Sequence, residues 1–174
     1  MKKIIAIFAL FTISMQAQDI QGGFKFIANS PTFTDDVKND SKGKLNFGVG
    51  YFENMDINDH VSLQGELNYN SISYEIGNTT TNYTFIDIPV LVIRKFGDFG
   101  VGVGYQYAIG WGGKQEYDGG SSEVKPGNDQ GMLLDLSYQF DKVNISARYY
   151  LGSELIYEGN AVRNLAVSVG YIVF

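Results

Sequence analysis

Phe99-Gly100-Val101-Gly102-Val103-Gly104-Tyr105-Gln106-Tyr107-Ala108-Ile109 alternates large apolar residues with small or polar ones without a break. Successive side chains of a β-strand point to opposite faces, so this stretch predicts a strand with one apolar face and one uncrowded face. Its glycines follow the strand period and miss the spacing of a dinucleotide-binding loop, so they read as space-makers and not as a phosphate cradle.

The same period continues in both directions. Val61, Leu63, Leu67 and Tyr69 oppose Ser62, Gln64, Glu66, Asn68 and Asn70. Met132, Leu134, Leu136, Tyr138 and Phe140 oppose Leu133, Asp135, Ser137 and Gln139, and Val143, Ile145, Ala147 and Tyr149 oppose Asn144, Ser146, Arg148 and Tyr150. Leu165, Val167, Val169, Tyr171 and Val173 oppose Asn164, Ala166, Ser168 and Gly170. The pattern predicts eight strands, over residues 22–28, 44–53, 60–71, 82–95, 98–110, 130–140, 143–151 and 163–174. Pro89 falls inside the fourth, where it removes a ladder donor, so a bulge or irregularity is expected there.

The connections alternate in length. Residues 54–59, 96–97 and 141–142 are short, whereas 29–43, 72–81, 111–129 and 152–162 are longer and polar. Eight antiparallel strands then carry every long loop at one end and every short turn at the other. The fold class is all-β: a closed, antiparallel, eight-stranded barrel.

Composition agrees. The chain has 174 residues, about one domain, with 21 Gly, 12 Tyr and 12 Phe and only 18% charged residues. The absence of cysteine excludes disulfides, zinc–thiolate sites and a lipidated cysteine anchor. One histidine leaves little room for imidazole-rich metal sites or catalytic triads. Thirteen Lys and Arg against 19 Asp and Glu, a net charge of -6, argue against nucleic acid as a partner. No cofactor is expected.

The N-terminus begins Met1-Lys2-Lys3, followed by ten apolar or near-apolar residues and then Ser14-Met15-Gln16-Ala17-Gln18-Asp19. The apolar run is half of what a transmembrane helix requires and reads as a secretory signal over 1–17, cleaved after Ala17. Met15 is larger than the small residue usual at that position. Loss of Lys2 and Lys3 takes the net charge from -6 to -8, and 18–174 is the expected mature barrel.

Alternation does not itself decide which face is outside, since a soluble lipocalin-like barrel turns its apolar face inward. Here the polar face is rich in Gly, Ser and Asn and poor in Lys and Glu, which suits a crowded interior better than a wetted surface. Aromatics bracket the apolar face: Tyr51, Phe99, Tyr138, Phe140 and Tyr171 at the short-turn end, and Tyr69, Tyr105, Tyr107, Tyr149 and Trp111 at the other. Phe174 ends the last strand, although strict alternation puts Val173 on the outer face. These features predict a barrel in the outer membrane of a Gram-negative bacterium, surrounded by lipid and lipopolysaccharide.

Parity turns Glu66, Asp87, Asp135 and Arg148 inward from four strands at similar depth, with Lys25 as a fifth candidate. Paired carboxylates can support acid–base chemistry, but interior charges also need partners, so a structural salt-bridge plug is the expected role. Acidic loop residues Asp35-Asp36 and Asp118-Gly119-Gly120-Ser121-Ser122-Glu123 match no dedicated calcium loop.

Ser62-Leu63-Gln64-Gly65-Glu66-Leu67, Phe85-Ile86-Asp87-Ile88-Pro89-Val90-Leu91, the glycine alternation over 100–104, Ala147-Arg148-Tyr149 and Val169-Gly170-Tyr171 together resemble the small outer-membrane barrels of the porin family or PorT-like type. The wider architecture is similar to the OmpA and OmpX barrels. In that family an acidic residue stands two before the proline, Asp87 here, and an arginine like Arg148 faces inward. Outer-membrane enzymes of this size use a histidine near the outer rim, whereas His60 sits at a short turn, so the resemblance implies a non-enzymatic barrel. An envelope-structure or surface-interaction role through the long loops is the leading expectation, with an envelope or secretion-system protein as a possible partner. The alternatives are a secretion or transport component, a small porin and a soluble ligand-binding barrel.

Overall fold

Alternating residues with bulky apolar groups on one face favour pleated strands that pair edge to edge, and eight such strands close a ring without a free edge. The computed structural model describes residues 20–33, 41–152 and 162–174. The described residues contain ten strands and no helix: β1 (Ile20–Phe33), β2 (Ser41–Gly43), β3 (Asn46–Asn58), β4 (Val61–Ile76), β5 (Thr79–Phe96), β6 (Phe99–Tyr117), β7 (Gly120–Glu123), β8 (Asp129–Phe140), β9 (Val143–Gly152) and β10 (Val162–Ile172). Eight of them form the ring β1-β3-β4-β5-β6-β8-β9-β10, closed by β10 pairing with β1, every pair antiparallel. β2 pairs only with the far end of β4, and β7 only with the far end of β6, among the described residues.

The apolar face is outside. In β8, Leu133 is 0% exposed while its neighbour Leu134 is 46% exposed, and the same alternation runs through β6 with Val101, Val103 and Tyr105 outward. A soluble barrel would reverse this, so the ligand-binding alternative fails. Outward aromatics pair across strands: Phe99 with Tyr138 at 4.8 Å between ring centroids, Phe24 with Tyr51 at 5.6 Å, and Phe26 with Phe47 at 5.5 Å.

The expected connections change in part. The segments 72–81 and 111–129 are largely strand: β4 runs to Ile76, a tight turn at Gly77 (φ 56°) and Asn78 reverses the chain, and β6 runs to Tyr117 before β7. In β4 the apolar residues change parity, from Leu67 and Tyr69 to Ile72, Tyr74 and Ile76, and over 111–117 the apolar face is lost, so both stretches break the pattern and read as loop. Segments 34–40 and 153–161, including Asp35-Asp36, lie outside the described residues, as does the expected signal at 1–17. Pro89 brings the expected local irregularity but no change of register: the β4–β5 ladder is interrupted between Gly65–Val90 and Asn68–Asp87 and resumes in the same register, while the one shift in β5–β6 falls at Thr84 and Phe85. A proline turned into the lumen with its missing donor at one ladder position is absorbed without re-registering the strand.

The inward glycines are set by packing. A Cβ on Gly102 would stand 3.2 Å from both the Asp135 Cβ and an Ile93 methylene, and 3.6 Å from Leu91. Gly102→Leu should therefore overpack the lumen and cost about 1–3 kcal/mol, read as an earlier urea midpoint for the folded-to-unfolded gel shift.

Candidate functional site in the barrel lumen

The inward residues of facing strands meet in a narrow space. Arg148 on β9 and Glu66 on β4 lie four strands apart in either direction around the ring, so their contact spans the lumen. Arg148 Nη1 and Nη2 donate to Glu66 Oε2 and Oε1, both at 2.8 Å, in a bidentate fork. Arg148 Nε donates to Asp135 Oδ1 at 2.8 Å, from the strand directly beside it. Lys25 Nζ also donates to Glu66 Oε2. All four side chains are buried.

Two amides complete the coordination of Glu66. Asn68 Nδ2 donates to Oε2 at 2.9 Å and Gln64 Nε2 to Oε1 at 2.5 Å. Five donors on two carboxylate oxygens leave no lone pair for a reacting group. The arrangement is that of a cross-brace and offers Glu66 no opening for acid–base chemistry.

Asp87 faces the same space but stands apart from the ion pairs. It accepts from Asn70 Nδ2 at 3.2 Å, and Asn70 Oδ1 in turn accepts from Asn29 Nδ2 at 2.8 Å. Of the four acids and bases picked out by parity, the structure thus joins Glu66, Asp135 and Arg148, adds Lys25, and leaves Asp87 on an amide chain. Asp87, Asn68, Gln106, Arg148 and Asn164 line a cavity of about 30 Å³ beside the ion pairs. Such a volume suits about two water molecules.

Further from the short turns, Tyr150 donates to Asp129 Oδ2 at 2.7 Å. Leu91, Ile93, Leu133 and Tyr150 form a buried apolar cluster on the lumen side of β5, β8 and β9. At the opposite mouth Tyr74, Tyr83 and Phe85 meet edge to face, at 6.0 and 6.2 Å, and Tyr74 and Phe85 are buried. The lumen is filled at three levels.

The roles of Gln64, Asn68, Asn29 and Asn70 escape a reading that follows charges alone. Parity already turned Gln64, Asn68 and Asn70 inward, so an inward amide two residues from an inward acid was the available signal. His60 lies in the exposed β3–β4 turn, where its carbonyl accepts from the Lys95 amide at 2.8 Å. No group of three or more His, Cys, Asp or Glu suited to a metal occurs among the described residues.

Comparison with known proteins agrees with this architecture. A family model described as outer membrane protein beta-barrel domain matches residues 4–125. The fold is similar to that of Ail, the attachment invasion locus protein of Yersinia pestis, at 12% identity and TM-score 0.52, covering 90% of this chain and 99% of that one. It is also similar to Neisserial surface protein A, NspA, at 14% identity and TM-score 0.58, covering 88% and 97%. At these identities the likeness is one of fold. No curated protein matches the chain.

Proposed function

The chain belongs to the outer membrane protein beta-barrel domain family and resides in the outer membrane, and from that premise we propose that it is a non-enzymatic barrel whose projecting sheet meets molecules outside the cell. Residues 1–17 are then the export signal and 18–174 the mature domain.

One observation carries this reading. β5 and β6 have 18 and 19 residues, against 12 and 10 in β8 and β9. A membrane-spanning strand needs roughly 9–11 residues, so the excess of about eight projects some 25 Å along the strand. β2 and β7 widen this projection into a five-stranded sheet, β2-β4-β5-β6-β7. Asn78 Nδ2 donates to Asp118 at 2.9 Å and ties two hairpin tips together, while Lys44 pairs with Glu75 at 3.2 Å and donates to Thr80 at 3.1 Å. A sheet held by its own cross-links offers a fixed surface at little ordering cost to a partner.

The filled lumen supports this role over that of a small porin, and the saturated Glu66 supports a non-enzymatic one. The PorT-like segments, residues 62–67 and 85–91, form lumen wall, which supports a shared scaffold more than a shared secretion role.

Orientation is the test. Cysteines placed at Thr79 or Ser121 should react with a membrane-impermeant reagent on whole cells, as should one at Gly159 outside the described residues, while cysteines at Asp59 or Asp141 should not. The reverse pattern would turn the sheet toward the periplasm and remove the proposed role.

A further inference from the structure

We propose that the mouth of the barrel at the short-turn end is a binding site for a primary ammonium or guanidinium group on a flexible stem, as presented by a lysine or arginine side chain or by a polyamine. The inference goes beyond the surface role. It depends on the orientation only for the side from which the ligand arrives.

The mouth encloses an open cavity of about 300 Å³. Its lining includes Ile93 and Gln64, the latter bonded to Glu66 of the ion-pair cluster, and its rim includes the turn residues Asp98 and Asp141. Three carboxylates, Asp56, Asp98 and Asp141, face one cation, Lys95, leaving an excess of two negative charges in the lining. Low-dielectric walls concentrate such a field and favour a cation.

The hydrogen-bonding inventory points the same way, independently of charge. Ser62 is 1% exposed, lines the cavity, and its Oγ has no partner. Asn54 and Asp56 also line the cavity, and each carries a buried oxygen, Oδ1, without a partner. Lys95 engages only the other Asp56 oxygen, Oδ2, at 2.8 Å. Buried oxygens without donors are costly, and a group that brings several N–H donors relieves them. An ammonium has three such donors and a guanidinium five. Ile93 offers an apolar wall for the methylene stem. The Ser62 hydroxyl can serve either sign of ligand, but a carboxylate would meet repulsion from Asp56, Asp98 and Asp141 and the acceptor-only oxygens of Asn54 and Asp56.

The test uses the folded protein in zwitterionic detergent micelles, titrated with tri-lysine, spermidine and tri-glutamate by calorimetry and by backbone-amide NMR. Tri-lysine should bind saturably, weaken with added salt, and shift the amides of Ser62, Gly97 and Gly100. Asp98→Asn with Asp141→Asn should weaken it about tenfold. Asparagine tolerates the positive φ of 51° at position 141, and the gel shift on boiling reports that the variant is folded. Gln139→Lys, which adds a like charge to the lining, should weaken binding similarly and serves if the double variant misfolds. Tighter binding of tri-lysine than of spermidine supports a peptide as the source of the cation, and equal or tighter binding of spermidine supports a polyamine. Saturation by neither cation, equal binding of tri-glutamate, unchanged affinity in both variants, or shifts confined to the projecting sheet would overturn the proposal.

Discussion

Replacing Arg148 with Met should destabilise the barrel by about 3–5 kcal/mol, because it removes a counter-charge shared by two buried carboxylates and leaves Asp135 without its ion-pair partner. Arg148 makes three charge-assisted hydrogen bonds, two to Glu66 and one to Asp135. Glu66 keeps Lys25, Gln64 and Asn68, but Asp135 loses its ion-pair partner. The cost therefore resides mainly in the carboxylate left behind. Adding Asp135→Asn to Arg148→Met should recover a substantial part of the loss, since the remaining Lys25–Glu66 pair is balanced. Urea midpoints from the gel shift of folded against unfolded protein measure both. A single variant with the parental midpoint, or a double variant no better than the single one, would show that the cross-brace does not support the fold.

An arginine at Val103 should be nearly as damaging, for a different reason. Val103 lies on the outward face of β6, half exposed, and pairs with Val92 on β5 and Leu134 on β8. Its direct outward neighbours along and across the strands, Val101, Tyr105, Val92 and Leu134, are apolar or aromatic, so the substitution places a charge in the lipid belt. On a membrane barrel this costs about 2–4 kcal/mol at the midplane and falls toward the interfaces. Ser121→Arg, in the projecting sheet, should change stability by no more than about 0.5 kcal/mol. Refolding into lipid vesicles followed by urea titration compares the two. Equal, small effects would mean that Val103 faces water.

Facing was legible from residues alone because strand parity is rigid: once Leu134 is outward, Leu133 and Asp135 must be inward. That single rule placed Glu66, Asp87, Asp135 and Arg148 in the lumen. It did not assign partners, because closure of the ring and the stagger of its strands decide which inward residues meet, and neither is local. Arg148 finds Glu66 across the full lumen, at a separation of 82 residues, while Asp87, one strand over from Glu66, falls to the amides. The extensions of β4, β5 and β6 were hidden for another reason. Residues 111–117 read Trp-Gly-Gly-Lys-Gln-Glu-Tyr, with glycine or polar groups on both faces. A rule tuned to one apolar face passes over a strand that stands clear of lipid.

The barrel is closed and its lumen is filled, which is the ground for placing the proposed function at its ends and not along its axis. Current through the unaltered protein in a planar bilayer tests this most directly. Leu91, Leu133 and the Arg148–Glu66 brace occupy the lumen, so negligible steady conductance is expected. A large, steady conductance from correctly folded protein would contradict it and make the chain a small porin.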